Sequence, residues 1–538
     1  MSRLRPTRLL AAVAAAWLCL PPAVGGRAST VLVGPGGNLQ AALDAAQPGD
    51  VIQLQAGATF VGNFVLPASR RDDDRFITIR SSIPESEGPG ASTRVSARHL
   101  PFLPKLRSPN GEPALRTAPG ARHWRVVLVE FQPNAGKGGE IVRLGDGGAA
   151  QAAGNVPEDL VLDRCYIHGD PEAGQKRGIA LNSGTTRILN SLVVDIKSEG
   201  QDSQAIAGWN GPGPYTILNN RLEAAGQAIL FGGADPRTPK LVPTDIWIRG
   251  NHLTRPEAWR GGRWQVKNLL ELKNARNVRI EGNLLEYNWG GAQPGYAVLL
   301  TPRNQDGGAP WSTVEDVSFR FNVIRHVAAA VNLLGRDSPN ASGTARRLVV
   351  ADNLLYNVDG ARWGGNGEFL RVGDGPSEVT VEHNTVLHSG NVISAYGGPR
   401  DRPTPIERFA FRFNIVRHNE YGVHGSDRGV GADTLDAYFP GAAFSGNVLA
   451  GGQERLYPPG NLFPAARDFE RLFVDPARGD FRLAPGADAP RDNAGLAAGA
   501  DMPEVNVAWR GAQEGTQARL RRAPPPERER AIERKPPR

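Results

Sequence analysis

Cysteine is nearly missing from this chain: two residues in 538, and one of them, Cys19, lies inside an apolar N-terminal run. That leaves Cys165 without a partner once such a leader is removed, so a disulfide scaffold is excluded. Long apolar stretches are missing beyond the leader, and nothing later approaches the roughly 20 residues of a membrane-spanning helix. An excess of one charge is missing too. The formal charge is +7, but Arg3, Arg5 and Arg8 supply three positive charges and residues 521–538 a net four. The body is therefore close to neutral and carries no basic stripe of the kind duplex binding needs. A Gly-x-Ser-x-Gly elbow is absent, which removes the serine-hydrolase reading. What is plentiful is glycine, 65 residues, and proline, 43, so turns are frequent. With 40% apolar residues the chain can fill a sizeable core, and general disorder is excluded.

The ends have their own signatures. Residues 1–28 pair three arginines with the apolar run Leu9–Leu20, then Pro21-Pro22 and a small-residue stretch to Ala28. This reads as a cleaved secretory signal, so the mature protein is expected outside the cytoplasmic membrane, extracellular or periplasmic. Residues 501–538 end in a Pro/Arg-rich basic segment and are expected to be a disordered tail.

A repeat organises the middle. With the Asn of Val379-Thr-Val-Glu-His-Asn384 as zero, the same frame recurs at Cys165, Ser191, Asn220, Asn251, Asn283, Asn322, Asn353, Asn384, Asn414 and Asn447, at intervals of 26 to 39 residues. Position −3 is always apolar (Leu162, Ile188, Ile217 through Phe444), and so is position +2 (Ile167, Val193, Leu222 through Leu449). Short runs with a period of two, broken by Gly, Pro and Asn turns, describe strands. One unit cannot close a core. Stacked about 4.8 Å apart, successive units bury a continuous apolar column. The Asn column then forms an inward ladder at a turn, a place where Asn also tolerates the left-handed conformation. Helical repeats would need 3.6-residue periodicity over ten or more residues, which is not present.

This 31-residue rung with its Asn ladder resembles the right-handed parallel β-helix of the pectin-lyase-like superfamily. The entry segment resembles it too: Val31-Leu-Val-Gly-Pro-Gly-Gly-Asn38, followed by a helix with Leu39, Ala42 and Leu43 on one face, then Pro48-Gly49-Asp50. Asn38 is placed to cap that helix, which would plug the open end of the solenoid. Runs such as Gly211-Pro-Gly-Pro-Tyr215, Val266-Lys-Asn-Leu-Leu-Glu271 and Thr301-Pro-Arg303-Asn304-Gln305 resemble a group of secreted bacterial β-helix repeat proteins of uncharacterised activity. The resemblance implies an all-β, right-handed parallel β-helix over 29–500: cap and first coils over 29–159, regular coils over 160–450, and terminal coils over 451–500. Residues 84–120 are expected to be an inserted loop. The calcium-binding Asp sets and arginine base of pectate lyases, and the Asp clusters of polygalacturonases, have no counterpart here, so the resemblance brings no activity with it.

Candidate chemistry comes from aligning the second strand of each coil. Its outward positions would carry Ala180 and Asn182, Ala207 and Trp209, Leu230 and Gly232, Glu271 and Lys273, Leu299 and Thr301, Asn332 and Leu334, Arg371 and Gly373. Trp209 would offer a platform for a sugar ring, with Asn210, Asn274, Asn304, Trp311 and Arg371 as further substrate contacts. Lys273, Glu271 and Arg303 are the candidate catalytic residues: Lys273 as base for β-elimination at a uronate, Arg303 or Arg371 facing the developing charge. Hydrolysis would need two carboxylates about 5–9.5 Å apart, and the strand offers one. The Glu271–Lys273 pair also reads as an ordinary ion pair. A second column, Tyr287, His326, Asn357, His388 and His418 at position +4, reads as stacked polar side chains or as a metal-binding pair. The expected partner is an acidic polysaccharide, with no nucleic acid, no cofactor and no metal. The competing reading is a non-catalytic surface or adhesion solenoid.

Overall fold

Each repeat folds into one coil of three short strands, and every coil hydrogen-bonds to the next in the same direction. The computed structural model describes residues 28–518 and 520, except 69–72 and 137. The proposed leader lies outside the described residues apart from Ala28, and so do residues 521–538. Three parallel sheets run the length of the solenoid. Sheet A has 14 strands from Thr30–Val33 to Ala443–Ser445, sheet B has 13 from Thr59–Val61 to Val448–Ala450, and sheet C has 12 from Phe64–Leu66 to Val423–Gly425. A central coil passes through Ala275–Glu281 in A, Leu284–Asn288 in B and Tyr296–Leu300 in C, then rises to Val314–Arg320 in A. The fold is a right-handed parallel β-helix, the hand that parallel crossovers take. Inward side chains stack from coil to coil as Ile280 on Phe319 in A, Leu285 on Ile324 in B and Val298 on Val331 in C, all within one apolar column. The helix Leu39–Ala45 plugs the N-terminal end. Asn38 accepts from the Ala41 N–H at 3.0 Å, and Leu39 and Leu43 are buried.

The ladder runs at the A–B corner. Each Asn accepts the backbone N–H of the previous ladder residue and donates to a carbonyl of an earlier coil: Asn283 N to Asn322 Oδ1 at 2.9 Å, and Asn322 Nδ2 to Ile280 O at 2.9 Å. It extends one step past the aligned repeats, to Asn461, which accepts from Asn447 N at 3.0 Å. The left-handed conformation expected of the ladder Asn belongs instead to the residue before it. Arg164, Asn190, Asn219, Phe321, Asp352, His383 and Phe413 have φ between 51° and 57° there, and Gly250, Gly282 and Gly446 fill the same position. The ladder amide faces inward because the preceding residue turns the corner.

Three expected boundaries are corrected. The insertion is shorter than 84–120, because Lys105–Arg107 and Leu115–Thr117 are already coil strands of sheets B and C. After Ala450 the chain adds one partial rung, in which Leu462 bridges Val448 in parallel, and then forms no regular terminal coils among the described residues. It folds back along the outside of sheet B, through the antiparallel pair Phe473–Asp475 and Asp480–Leu483. Nor is the segment after 501 wholly irregular: Met502–Glu514 is a helix capped by the Asp501 carboxylate. The physical reason is one position the repeat alignment passed over. The residue directly after the ladder Asn points outward, yet it is Leu284, Val323, Leu354, Ile415 and Val448 in five coils. That apolar outer stripe needs cover, and Phe469, Phe473, Phe481, Met502 and Val505 supply it. The inserted loop then clasps the returning chain. Arg94 donates to Ala512 O at 3.0 Å and to Asn219 O at 3.0 Å, and its N–H bonds Gly515 O. Its guanidinium thus meets the C-terminal carbonyls of the helix, the end that favours a cation. Burial lowers the Arg94 pKa to about 9.

Candidate functional site

The outer face of sheet C carries the polar and charged side chains that sequence alignment placed there. Register follows that alignment: Ala180, Ala207, Leu230, Glu271, Leu299, Asn332, Arg371, Ser394 and His424 are paired neighbours on successive strands. Loops flank the sheet on both sides, those entering from sheet B bearing Trp259, Trp264 and Trp289, those leaving toward sheet A bearing Arg303, Trp311 and Asp337.

A second outward row was not visible to simple alternation. In each coil two consecutive residues enter the core: Ala205 and Ile206, Ala228 and Ile229, Leu269 and Leu270, Ala297 and Val298, Phe369 and Leu370. The extra inward residue is a bulge. Where it forms, the N–H groups of Ala228 and Ile229 both reach Leu269 O, at 3.0 and 3.1 Å. A bulge re-aims the neighbouring side chain. Gln204, Gln227, Asn268, Tyr296 and Glu368, which a strict period of two would turn inward, therefore join the outer face.

These residues build a directional chain along the solenoid axis. Arg177 donates through Nε and Nη2 to Gln204 Oε1 at 3.1 and 2.9 Å. Gln204 Nε2 donates to Gln227 Oε1 at 3.2 Å, and Gln227 Nε2 donates to Glu271 Oε2 at 2.8 Å. Asn268 Nδ2 adds a contact to the same oxygen at 3.3 Å. A cation at one end and a carboxylate at the other fix both amide orientations, since a flipped amide would set oxygen against oxygen. Burial lowers the Arg177 pKa. Glu271 is 1% exposed, with Leu230 and Leu299 as its neighbours on adjacent strands. Its other oxygen faces Lys273 Nζ at 3.5 Å. The pair is an ion pair with a buried carboxylate and a partly exposed ammonium, which differs from a solvated surface pair.

Of the candidate residues, Glu271, Lys273, Asn274 and Arg303 lie on adjacent coils, and the Arg303 backbone N–H donates to Lys273 O at 2.8 Å. Arg303 Nη1 is held by the buried Asp337 carboxylate at 2.8 Å. Asp337 Oδ2 also accepts from Asn304 N at 3.0 Å, so this carboxylate organises the loop. Three amides expected to face a sugar are buried instead. Asn210 donates to Asp146 O and Gly148 O and accepts from Arg237 N. Asn304 bonds Ala341 O and Ala309 N, and Asn274 Oδ1 accepts from Thr313 N. Trp209 is engaged as well: its Nε1 donates to Gly147 O at 2.8 Å and Arg177 lies over its ring at 4.8 Å. Trp311 is half-buried, and its backbone carbonyl accepts from Arg276. Thus Trp209, Asn210, Asn274 and Asn304 shape the groove wall. The reason is common to all: residues at loop roots must satisfy backbone groups left open where the coil bends.

Further along the face, Glu368 accepts from the Tyr296 hydroxyl and from Ser394 Oγ at 2.8 Å. Asn366 Nδ2 donates to the Tyr296 oxygen at 2.9 Å. Burial, then the Glu368 charge, pushes the Tyr296 phenol pKa up. Arg371 lies 5.3 Å from the Tyr396 ring centre and 6.0 Å from that of Tyr296.

The column at +4 is a stack of mixed contacts. Tyr287 and His326 stack at 5.1 Å, Asn357 Nδ2 meets His326 Nδ1 at 2.6 Å, and His418 Nε2 meets the Tyr457 hydroxyl at 2.7 Å. Among the described residues no three His, Cys, Asp or Glu side chains are grouped to hold a metal ion. Burial pushes the His388 imidazole down to about 4. The unfolded chain, with an ordinary value near 6.5, then binds the extra proton first. Stability is full above about pH 6.5 and falls as the pH drops toward 4, by about 3 kcal/mol for this group. Urea midpoints at pH 7 and pH 4.5 should show that fall in the wild type and a clearly smaller one in His388→Gln. Equal falls in both proteins would mean His388 is not the group responsible.

The protein is thus a right-handed parallel β-helix with a polar outer face on one sheet. The sequence matches no protein-family model and no curated protein. Several solved structures are similar to this chain over part of their length. The PL6 family alginate lyase AlyGC is 14% identical over 93% of this chain and 58% of its own, with a TM-score of 0.46. A mannuronic acid specific family 6 lyase from human gut microbiota is 13% identical over 82% and 83%, TM-score 0.41. Pectate lyase Pel9A is 13% identical over 70% and 79%, TM-score 0.35. At these identities the likeness is one of fold alone. No helix among the described residues is long and apolar enough to cross a membrane.

Proposed function

We propose that this protein, exported across the cytoplasmic membrane, binds an acidic polysaccharide along the outer face of sheet C and cleaves it by β-elimination. The observation that carries the reading is the Lys273 centre: an ammonium on a rigid strand, aimed by a buried carboxylate that is itself held by a chain of amides. Elimination needs a group to take the C5 proton and positive charge beside the enolate-like oxygen that develops. Lys273, as the free amine, is assigned the C5 proton. As C4=C5 forms and the C4–O4 bond breaks, the resulting ammonium returns that proton to the leaving oxygen, with Glu271 orienting Lys273 and Arg303, on the next coil, facing the enolate charge. Paired-carboxylate hydrolysis fits less well. Glu368, the other carboxylate on the outward rows of the central coils, is three strands from Glu271, about 14 Å at the usual strand spacing, beyond the roughly 5–9.5 Å that hydrolysis uses. Asp337 is bound up with Arg303, and Asp235 accepts from the N–H groups of Asp306 and Gly308.

The test is a panel of acidic and neutral polysaccharides read two ways. Elimination produces ultraviolet-absorbing unsaturated uronates in step with new chain ends. New reducing ends without that absorbance would indicate hydrolysis and overturn the elimination mechanism. Neither signal, with no binding, would favour the non-catalytic solenoid.

A further inference from the structure

Arg371 stands apart from the other cations of the groove. Glu271 pairs with Lys273, Asp337 with Arg303 and Glu140 with Arg143, whereas Arg371 has no carboxylate partner among the described residues. Of the two carboxylates on its own coil, Glu368 is already taken by the Tyr296 and Ser394 hydroxyls, and Asp374, just past the strand, makes no ion pair with it among the described residues. What holds the guanidinium is aromatic: the faces of Tyr296 and Tyr396. Tyr296 in turn is fixed by Asn366 and Glu368. Arg371 Nε and the neighbouring Asn332 Oδ1 are enclosed without hydrogen-bond partners, and the two residues pair on adjacent strands. With Nε enclosed, the guanidinium can still present its two Nη groups, and a half-buried cation pre-set in this way with no counter-ion is a carboxylate receptor, because two parallel N–H groups of the planar fork match a carboxylate.

We propose that Arg371, held between Tyr296 and Tyr396, is a distal carboxylate subsite for the substrate polymer. It lies three strands from Lys273, about 14 Å along the axis. The polymer would then run along the solenoid, and productive binding requires a chain that spans both points. This rests on the reading of this face as a polysaccharide site, and it adds a length requirement.

The experiment uses size-fractionated oligomers of polygalacturonate and of alginate, from trimer to octamer, with their carboxyl-reduced counterparts. Cleavage is measured with wild type, Arg371→Ala and Arg371→Lys; binding is measured by calorimetry in the Lys273→Ala background. The wild-type to Arg371→Ala ratio of kcat/KM should rise about 10-fold or more from the shortest to the longest oligomer, carried by KM, as expected for a lost charge-assisted contact. Arg371→Lys should recover part of it, and carboxyl-reduced oligomers, which cannot undergo elimination, should show calorimetric binding that does not depend on residue 371. A ratio that does not change with length overturns the subsite even when cleavage occurs. Binding that depends on Arg371 without any cleavage keeps the subsite and overturns the elimination reading. Binding of none of these oligomers to any variant overturns both.

Discussion

Replacing Lys273 with Ala should lower turnover on the best substrate by on the order of 10²-fold or more, the usual loss when a proton-transfer group is removed. The stability cost should be moderate, about 1–3 kcal/mol, because the buried Glu271 carboxylate loses its cation but keeps its contacts from Gln227 and Asn268. Lys273→Arg separates the two roles. A guanidinium can restore the ion pair with Glu271, yet it holds its proton far more tightly than an amine does and is the poorer base at neutral pH. The expected order is therefore wild type far above both variants in turnover, with Lys273→Arg as stable as wild type. An active Lys273→Arg would leave Lys273 a purely electrostatic role. Full activity in Lys273→Ala would make the pair structural and remove the centre of the proposed mechanism.

The coil frame was legible in the sequence because two of its columns, three before and two after the ladder, are apolar in ten coils. Those columns report inward positions, and inward positions decide the fold. The same period of two placed Glu271, Lys273 and Arg371 on the outer face and in the right register. It failed where the backbone leaves the period: the bulge before Ile206, Ile229, Leu270 and Leu370 turns Gln204, Gln227, Asn268 and Glu368 outward. Two adjacent apolar residues, as in Leu269-Leu270 and Phe369-Leu370, were the available signal. The loop-root amides failed for a different reason. Asn210, Asn274 and Asn304 lie just beyond the strand ends Gly208, Leu272 and Leu300, and their amides answer backbone groups at the bend, a demand that composition does not display. The returning C-terminal segment was hidden because its partner surface, the outward Leu284, Val323, Leu354, Ile415 and Val448, becomes one stripe only when the coils are stacked.

The ladder predicts the largest change in stability. In Asn322→Ala the side chain that accepts from Asn283 N and Asn283 Nδ2, both at 2.9 Å, and donates to Ile280 O and Asn353 Oδ1 is gone. All of these groups lie in a dry interior beside Ile280, Ile324 and Phe319. A buried polar group left unsatisfied costs about 1–3 kcal/mol, and at least two are created, so a loss of about 3–5 kcal/mol is expected. Asn322→Ser should lie between, since the N-terminal end of the ladder already uses a serine: Ser191 Oγ accepts from Cys165 N at 2.9 Å and donates to Leu189 O at 2.7 Å. A hydroxyl is shorter than an amide and recovers only part of the set. Urea denaturation of the three proteins gives the order, and hydrogen exchange locates it, with faster exchange expected first at the Asn283 amide and its neighbouring coils, as nearest-neighbour coupling in a solenoid requires. If Asn322→Ala matches wild type in both measurements, the stacked apolar columns carry the corner without the amides, and the ladder sets register rather than stability.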